Sequence, residues 1–256
     1  FRQYLSVIEG MPMLYERIEA DWHESHRMAK LKFNFAAKND TVWYDIPYAA
    51  IPRKSIPVDP FDRAKTEHCG QKWADFSDAS GDFGVTILNT AKYGYDAKES
   101  AIRMSLLRAP LYPDPYADRG LHEIEYAFEP HVGDWKSSDA PRKGSEFNYA
   151  LLPLMAAAHE GKLPAAYSFY SAEPENVALA AVKKAEDDSN LVLRIVETEG
   201  KDSKNAVIKL PFTPKSISEI NLIEDAMANG KPGTIKGNSI VVPLNKFEIK
   251  TIKLTK

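Results

Sequence analysis

The chain has 256 residues, a formal net charge of −3 and a hydrophobic fraction of 44%, which suits a protein that buries one large β-sandwich or two smaller domains. A net negative charge without a run of Lys and Arg argues against a nucleic-acid-binding protein, and the single cysteine, Cys69, excludes an internal disulfide. No stretch approaches the roughly 20 apolar residues that a membrane helix needs, so we expect no membrane partner.

The first seventy residues predict strands followed by an irregular excursion. Apolar side chains recur at even or near-even spacing over residues 2–37, with a break at residues 10–12. Residues 42–48 predict a strand that lies at an edge or ends at its proline. Residues 50–70 hold several prolines and many charges, which favours a loop.

The central block, residues 71–131, predicts an antiparallel sheet. Residues 84–88 form a short β-branched and apolar run, and residues 102–108 and 121–128 alternate apolar with polar side chains. The loop at residues 110–120 is rich in proline and aspartate and is too long for a hairpin turn. Loops of that kind often carry function.

The pattern is less regular after this block. Residues 133–144 predict a polar loop that contains Trp135. Residues 147–158 have the composition of a helix, but Pro153 lies within the run and favours an extended segment, so we predict a strand.

The last third of the chain predicts a second β-sandwich. Residues 177–184 and 191–197 predict a hairpin, and further strands are predicted at residues 206–210, 217–222, 239–244 and 247–254, the last with a bulge. The fold class is therefore predicted as all-β: a large antiparallel β-sandwich of the supersandwich type over residues 1–170, then a smaller C-terminal β-sandwich over residues 171–256.

Four motifs in the central block carry a family resemblance. In chain order they are Gln71-Lys72-Trp73-Ala74-Asp75-Phe76-Ser77, Leu88-Asn89 followed by Lys92-Tyr93-Gly94-Tyr95-Asp96, Leu106-Leu107-Arg108-Ala109-Pro110, and His122-Glu123 followed by Tyr126-Ala127 and Pro130-His131. Their order over about sixty residues resembles the C-terminal β-domain of the family 38 glycoside hydrolases, which are retaining α-mannosidases. Residues 179–194 also resemble the last β-domain of those enzymes.

The resemblance implies that the catalytic groups lie outside this chain. The family takes its nucleophile and its zinc ligands from an N-terminal catalytic domain, and no His-x-Asp pair occurs here. We therefore expect no catalytic residue, metal ligand or cofactor in the chain, with zinc in the parent's catalytic domain. The start at Phe1, without an initiator Met, indicates a cut inside a larger protein.

The same resemblance suggests which partners and residues to examine. The expected partners are the chain's own N-terminal catalytic domain and a mannose-containing glycan, and contacts within a homo-oligomer stay open. Tyr44 aligns with an aromatic residue that the family uses near the sugar. The loop with Asp118 and Arg119, leading to His122, offers a second contact with the pocket rim, and Arg108 is the alternative to Arg119 for bidentate hydrogen bonds to sugar hydroxyls.

Several other residues have structural interpretations that outweigh functional ones. We expect Trp73 in the core and His122 and His131 in structural roles, while Tyr93 and Tyr95 stay open between core and surface. Asp75, Asp78 and Asp82 lack the register of a calcium-binding loop, so we expect them in turns and caps. We also expect no metal site at the adjacent pair His68 and Cys69, and no acid–base pair at Glu123 and Glu125, which share one face of a strand.

Two alternatives to an enzyme part come from other classes of protein. A stand-alone carbohydrate-binding module would need an exposed aromatic platform on a concave face. A purely structural β-module would need neither a platform nor an uncovered apolar surface.

Overall fold

The computed structural model describes residues 1–255 and confirms the all-β fold class. Within those residues the chain has nineteen strands and two short helices. It divides into two compact units, Phe1–Leu152 and the part from Pro153 onward. The sequence placed the boundary near residue 170, and the first strand of the second unit begins at Ser171.

The first unit contains eleven strands and both helices. They are β1 Arg2–Val7, β2 Leu14–Trp22, β3 Ala29–Asn34, β4 Thr41–Ile46, β5 Ala49–Lys54, α1 Pro60–Ala64, β6 His68–Cys69, β7 Trp73–Ser77, β8 Gly84–Asn89, β9 Gly94–Lys98, β10 Ala101–Leu107, β11 Gly120–His131 and α2 Ala140–Asn148. A seven-stranded sheet has the order β1-β2-β11-β8-β7-β4-β5, and a four-stranded sheet has the order β3-β10-β9-β6. The predicted strands of the central block are β8, β10 and β11.

The core of the first unit lies between these two sheets. Ile18 and Phe76 of the larger sheet belong to the same buried cluster as Ile102 and Met104 of the smaller one. Along β10 the side chains alternate, with Arg103 exposed between the two buried residues. Alternation with period two is what gives this sheet one buried face and one open face.

The larger sheet is also covered on its other face, called the outer face here. Helix α2 and the residues before it pack there, so every residue of β7 is buried. Trp135 is fully buried and its ring stacks on Trp73, 5.3 Å between centroids. A Cβ on Gly144 would lie 2.8 Å from Cδ1 of Trp73, so glycine is what lets α2 approach the strand this closely.

The second unit is built from eight short strands. They are β12 Ser171–Glu173, β13 Val177–Lys184, β14 Leu191–Glu197, β15 Ser203–Lys209, β16 Ser216–Ile220, β17 Thr234–Lys236, β18 Ser239–Leu244 and β19 Ile249–Thr255. Two four-stranded antiparallel sheets, β12-β15-β18-β17 and β13-β14-β19-β16, enclose an aliphatic core. The predicted hairpin is confirmed by the antiparallel pairing of β13 with β14.

Three local predictions were wrong. Residues 50–70 hold β5, α1 and β6 rather than a plain loop, because β5 pairs along its whole length with β4. Residues 133–144 are not a polar loop throughout, and no strand forms at residues 147–158, because α2 occupies Ala140–Asn148 and residues 149–158 have no regular structure.

The predicted bulge in the last strand was wrong as well. β19 pairs in continuous register with β14 and with β16. Its sequence departs from alternation because Lys250, Thr251 and Ile252 are all buried, as expected for a central strand with both faces covered. The register shift in this sheet lies in β13, between Leu179 and Ala181.

Candidate functional site

The loop between β10 and β11 is fixed by one carboxylate. Oδ2 of Asp118 accepts hydrogen bonds from the backbone N–H groups of Arg108 and Ala109, each 2.9 Å long. These two hydrogen bonds hold the pKa of Asp118 below its usual range, so the group is an anion at neutral pH. Nε2 of His122 lies 2.8 Å from the carbonyl oxygen of Asp118, which closes the loop onto the start of β11.

Arg119 is placed at the surface of the same loop. Its Nη2 donates a 2.7 Å hydrogen bond to Oγ of Ser25, and its guanidinium lies 5.3 Å from the ring centre of Tyr116. Arg108 is exposed a few residues upstream. The structure therefore brings together four of the five residues that the sequence singled out for a pocket rim, and leaves two arginines facing solvent.

Tyr44 is not part of this cluster, and its assignment to a rim needs correction. The side chain is fully buried in the core of the first unit, where its ring packs on those of Tyr95 and His68. Burial, together with the charge of Asp96, raises the pKa of the phenol. Tyr44 offers no exposed ring face to a sugar, because its position in β4 points it between the two sheets.

The exposed fractions of the other aromatic side chains show which of them lie in the core and which at the surface. Trp73 is fully buried, as predicted. Of the two tyrosines left open, Tyr95 is fully buried with its hydroxyl accepting a 2.7 Å hydrogen bond from Nδ2 of Asn89, while Tyr93 is 46% exposed. The two tyrosines on either side of Gly94 therefore differ, with Tyr95 in the core and Tyr93 at the surface.

The described residues, 1–255, do not hold a metal-binding cluster. No group of three or more His, Cys, Asp or Glu side chains is arranged to hold an ion there. Cys69 is exposed beside His68, and Glu123 and Glu125 are exposed on the outer face. Neither of the two helices is long and apolar enough to cross a membrane.

A buried polar network on the outer face was missed. Oδ2 of Asp75 accepts a 2.8 Å hydrogen bond from Oγ1 of Thr86 and lies 2.8 Å from Nε2 of His131, while Oδ1 accepts a 2.6 Å bond from Ser77. Burial alone would lower the pKa of His131, but its hydrogen bond to Asp75 and the charge of that carboxylate raise it. Gly84 leaves room for this contact, because a Cβ there would collide with the His131 ring.

The sequence contained a signal for this network. Asp75 was expected in a turn or cap, yet it lies in the middle of β7, two residues from Trp73 and from Ser77. Residues two apart share a strand face, so the pattern already placed all three side chains together. Asp78, by contrast, does form a turn, with its carboxylate accepting hydrogen bonds from the backbone N–H groups of Lys38 and Ser80.

The outer face also carries a cavity of about 620 Å³. Its wall includes Glu125 of β11, three residues and therefore about 10 Å along the strand from His122. The rings of Tyr15 and Phe147 stack 6.3 Å apart in its wall. Its lining also includes Met11, Met13, Arg17, Leu88, Glu125, Lys143 and Glu146.

Comparison with known proteins identifies the relatives of this chain. Residues 1–116 match the glycosyl hydrolases family 38 C-terminal domain, and residues 176–252 match the family 38 C-terminal beta sandwich domain. Alpha-mannosidase G of Dictyostelium discoideum is 33% identical over 91% of this chain, and alpha-mannosidase 2C1 of Mus musculus is 32% identical over 96%.

A solved structure shares the fold. An alpha-mannosidase from Enterococcus faecalis V583 superposes with a TM-score of 0.81 at 18% identity, over 99% of this chain and 28% of that protein. The chain spans only 21% and 23% of the lengths of the two curated relatives. The matched region is therefore a minor part of each relative's polypeptide.

Proposed function

Since the chain belongs to the C-terminal region of glycoside hydrolase family 38, we propose that it is the non-catalytic β-region of a retaining α-mannosidase. The observation that carries this proposal is its identity of 32–33% to named α-mannosidases along more than nine-tenths of its length. In this role it packs on a catalytic portion of the same polypeptide and contributes to the rim of that portion's pocket.

The chemistry of the proposed reaction belongs to the catalytic portion. Retaining hydrolysis requires two carboxyl groups about 5 to 5.5 Å apart, one as nucleophile and one as acid and base. The zinc ion implied by the family would be held there as well, because residues 1–255 offer no metal-binding cluster. The task left to this chain is to bind and orient the mannoside.

The loop between β10 and β11 is suited to that task. Asp118 is committed to two backbone N–H groups and therefore fixes the loop rather than contacting sugar. Arg119 and Arg108 are exposed, and a guanidinium presents several N–H donors in a fixed fork that matches neighbouring hydroxyls. We assign sugar contact to these arginines and a positioning role to Asp118 and His122.

Kinetics of variants in the complete polypeptide test the rim. A hydrogen bond to a charged group contributes about 1.5–3 kcal/mol, so Arg119→Ala or Arg108→Ala should lower kcat/KM for an α-mannoside by roughly 10- to 100-fold. Arg63→Ala, which removes an exposed arginine from α1, is the matched control and should leave kcat/KM unchanged. Unchanged kcat/KM in both loop variants would remove these arginines from the rim.

The alternative function, a stand-alone carbohydrate-binding module, has one observation in its favour. The outer-face cavity combines the stacked rings of Tyr15 and Phe147 with charged side chains, the mixture that holds a sugar by its apolar face and its hydroxyls. Titration calorimetry of the isolated chain with mannose oligosaccharides tests it. Binding that is abolished by Phe147→Ala would support the carbohydrate-binding module. The absence of binding would rule out the module and leave the accessory role as the remaining proposal.

A further inference from the structure

Residues 149–170, which run between α2 and β12, contain neither helix nor strand. Their first half is both apolar and uncovered. The exposed fractions are 96% for Leu151, 94% for Leu152, 91% for Leu154 and 98% for Met155. Four large aliphatic side chains thus stand almost completely in water within five consecutive positions.

The composition of this segment differs from that of a solvated linker. Residues 149–158 read Tyr-Ala-Leu-Leu-Pro-Leu-Met-Ala-Ala-Ala and carry no charge. Flexible linkers are rich in Gly and Ser or in charge, and disordered segments are poor in large apolar side chains. A contiguous exposed apolar stretch marks an interaction site instead.

Neither unit uses the segment to complete its own core. The buried clusters of the first and second units contain no residue from 149–163. Pro153 fixes its own backbone and favours an extended conformation in the residue before it, so the chain is set to present its side chains as a strap. In an extended strap Leu152 and Leu154 face one way while Leu151 and Met155 face the other.

We propose that residues 150–158 dock as an extended strap into an apolar groove of the catalytic portion of the same polypeptide. This inference rests on the proposed function and identifies the surface through which that association occurs. The relatives have ample polypeptide for such a groove, because the matched region is only 21–23% of their lengths. A covalently attached groove is present at an effective concentration of about millimolar, so it outcompetes a second copy at micromolar concentrations. Because both faces of the strap are apolar, the groove covers it on two sides.

Hydrogen exchange and limited chymotrypsin digestion of the isolated chain and of the complete polypeptide test the docking. The expected result is rapid exchange and cleavage at residues 151–155 in the isolated chain, and protection by at least a factor on the order of 100 in the complete polypeptide. Equal rates in the two proteins would overturn the inference.

Two variants of the complete polypeptide distinguish docking of the apolar residues from a general effect of substitutions in this segment. One replaces Leu151, Leu152, Leu154 and Met155 with Ser, and the control replaces His159, Glu160 and Lys162, which are equally exposed, with Ser. The first should lose the protection and lower the thermal midpoint of the complete polypeptide without changing that of the isolated chain. Equal effects of the two variants would overturn the inference.

The remaining outcomes distinguish this inference from the function on which it rests. Protection in the isolated chain that rises with its concentration, together with a dimer in sedimentation, would assign the strap to a second copy and overturn docking within one polypeptide. Hydrolysis of an α-mannoside by a complete polypeptide whose strap is unprotected would overturn the docking of the strap and leave the proposed function in place. A protected strap in a polypeptide without that activity would support docking and overturn the proposed function.

Discussion

The two units of the chain are both sandwiches, but their cores differ in kind. The buried apolar residues of the second unit are all aliphatic among the described residues, as in Leu193, Ile208 and Val242. The first unit buries Trp73, Trp135 and several other aromatic side chains together with a polar network. Both units bury polar groups, so the difference between the two cores is the set of buried aromatic rings in the first unit.

The aromatic core bears on the task that we propose for the first unit. Aromatic stacks and buried hydrogen bonds are directional, so they fix strands and loops more closely than aliphatic packing does. The loop between β10 and β11, the outer-face cavity and the Asp75 network all lie in the first unit. The second unit also buries polar groups: Asn176 donates hydrogen bonds to Glu197 and Ser203, and Nζ of Lys250 donates a 2.8 Å hydrogen bond to the carbonyl of Pro243.

The largest effect is expected from the tryptophan stack. Trp73→Ala should destabilise the first unit by about 3–5 kcal/mol, because it leaves a cavity between β7 and α2. All four tryptophans lie in the first unit, so fluorescence-detected denaturation reports on that unit. Leu193→Ala is the matched change in the other core and should leave the fluorescence transition in place. Equal shifts from both variants would show that the two cores unfold as one.

A buried carboxylate provides the corresponding test in the second unit. Glu197 accepts hydrogen bonds from Nδ2 of Asn176 and from the backbone N–H groups of Glu199, Gly200 and Phe247. Glu197→Ala leaves these donors unpaired and should cost roughly 2–4 kcal/mol, observed as faster hydrogen exchange in β14 and β19.

The control for this variant is Glu175→Ala, since Glu175 is an exposed glutamate that precedes Asn176, the side-chain partner of Glu197. It should leave the exchange rates of both strands unchanged. A loss of fluorescence stability in Glu197→Ala would contradict the assignment of this carboxylate to the second unit alone.

The first unit should also respond to pH through His131. Its pKa is raised in the folded state, so its contribution to stability is complete below about pH 6.5 and is lost as pH rises through the raised value. Desolvation opposes this shift and Asp75 and Glu129 favour it. The wild-type chain should therefore lose fluorescence-detected stability relative to His131→Gln as the pH rises above about 6.5 and through the raised pKa.

Comparison with the variant is necessary because another histidine titrates in the same unit. Burial lowers the pKa of His68, so its charging acts in the opposite direction. The difference between wild-type and His131→Gln removes that contribution. A difference independent of pH would contradict the role given to the ion pair.

The smallest effect comes from a pair of core tyrosines. The hydroxyl of Tyr44 is buried without a hydrogen-bond partner, whereas that of Tyr95 accepts from Asn89. Tyr44→Phe should be neutral or slightly stabilising, and Tyr95→Phe should cost about 1 kcal/mol. Denaturant midpoints of the two variants check this, and the reverse order would contradict the absence of a hydrogen-bond partner for the Tyr44 hydroxyl.

The sequence predicts the strands better than it predicts the site. β8 follows from its apolar run, β10 from alternation, and the β13–β14 hairpin from two apolar runs around turn residues, all of which are local signals. Helix α2 does not, because its place depends on the contact of Gly144 with Trp73, which is distant along the chain.

The cluster in the loop between β10 and β11 and the buried Asp75 network differ in the same way: one could be grouped from the sequence and the other could not. Arg108, Asp118, Arg119 and His122 are close in sequence, so family resemblance was enough to group them. The contact of Asp75 with His131 joins residues 56 positions apart, and the burial of Tyr44 depends on the register of β4 against β7. Long-range pairing of this kind leaves no local pattern.

The most direct test of the account is hydrolysis of a chromogenic α-mannoside by this purified chain beside the complete polypeptide, each supplied with zinc. We predict activity in the complete polypeptide and none in the isolated chain. Activity in the isolated chain would place a catalytic pair of carboxyl groups within residues 1–256 and contradict the accessory role, and inactivity of both proteins would contradict the proposed α-mannosidase.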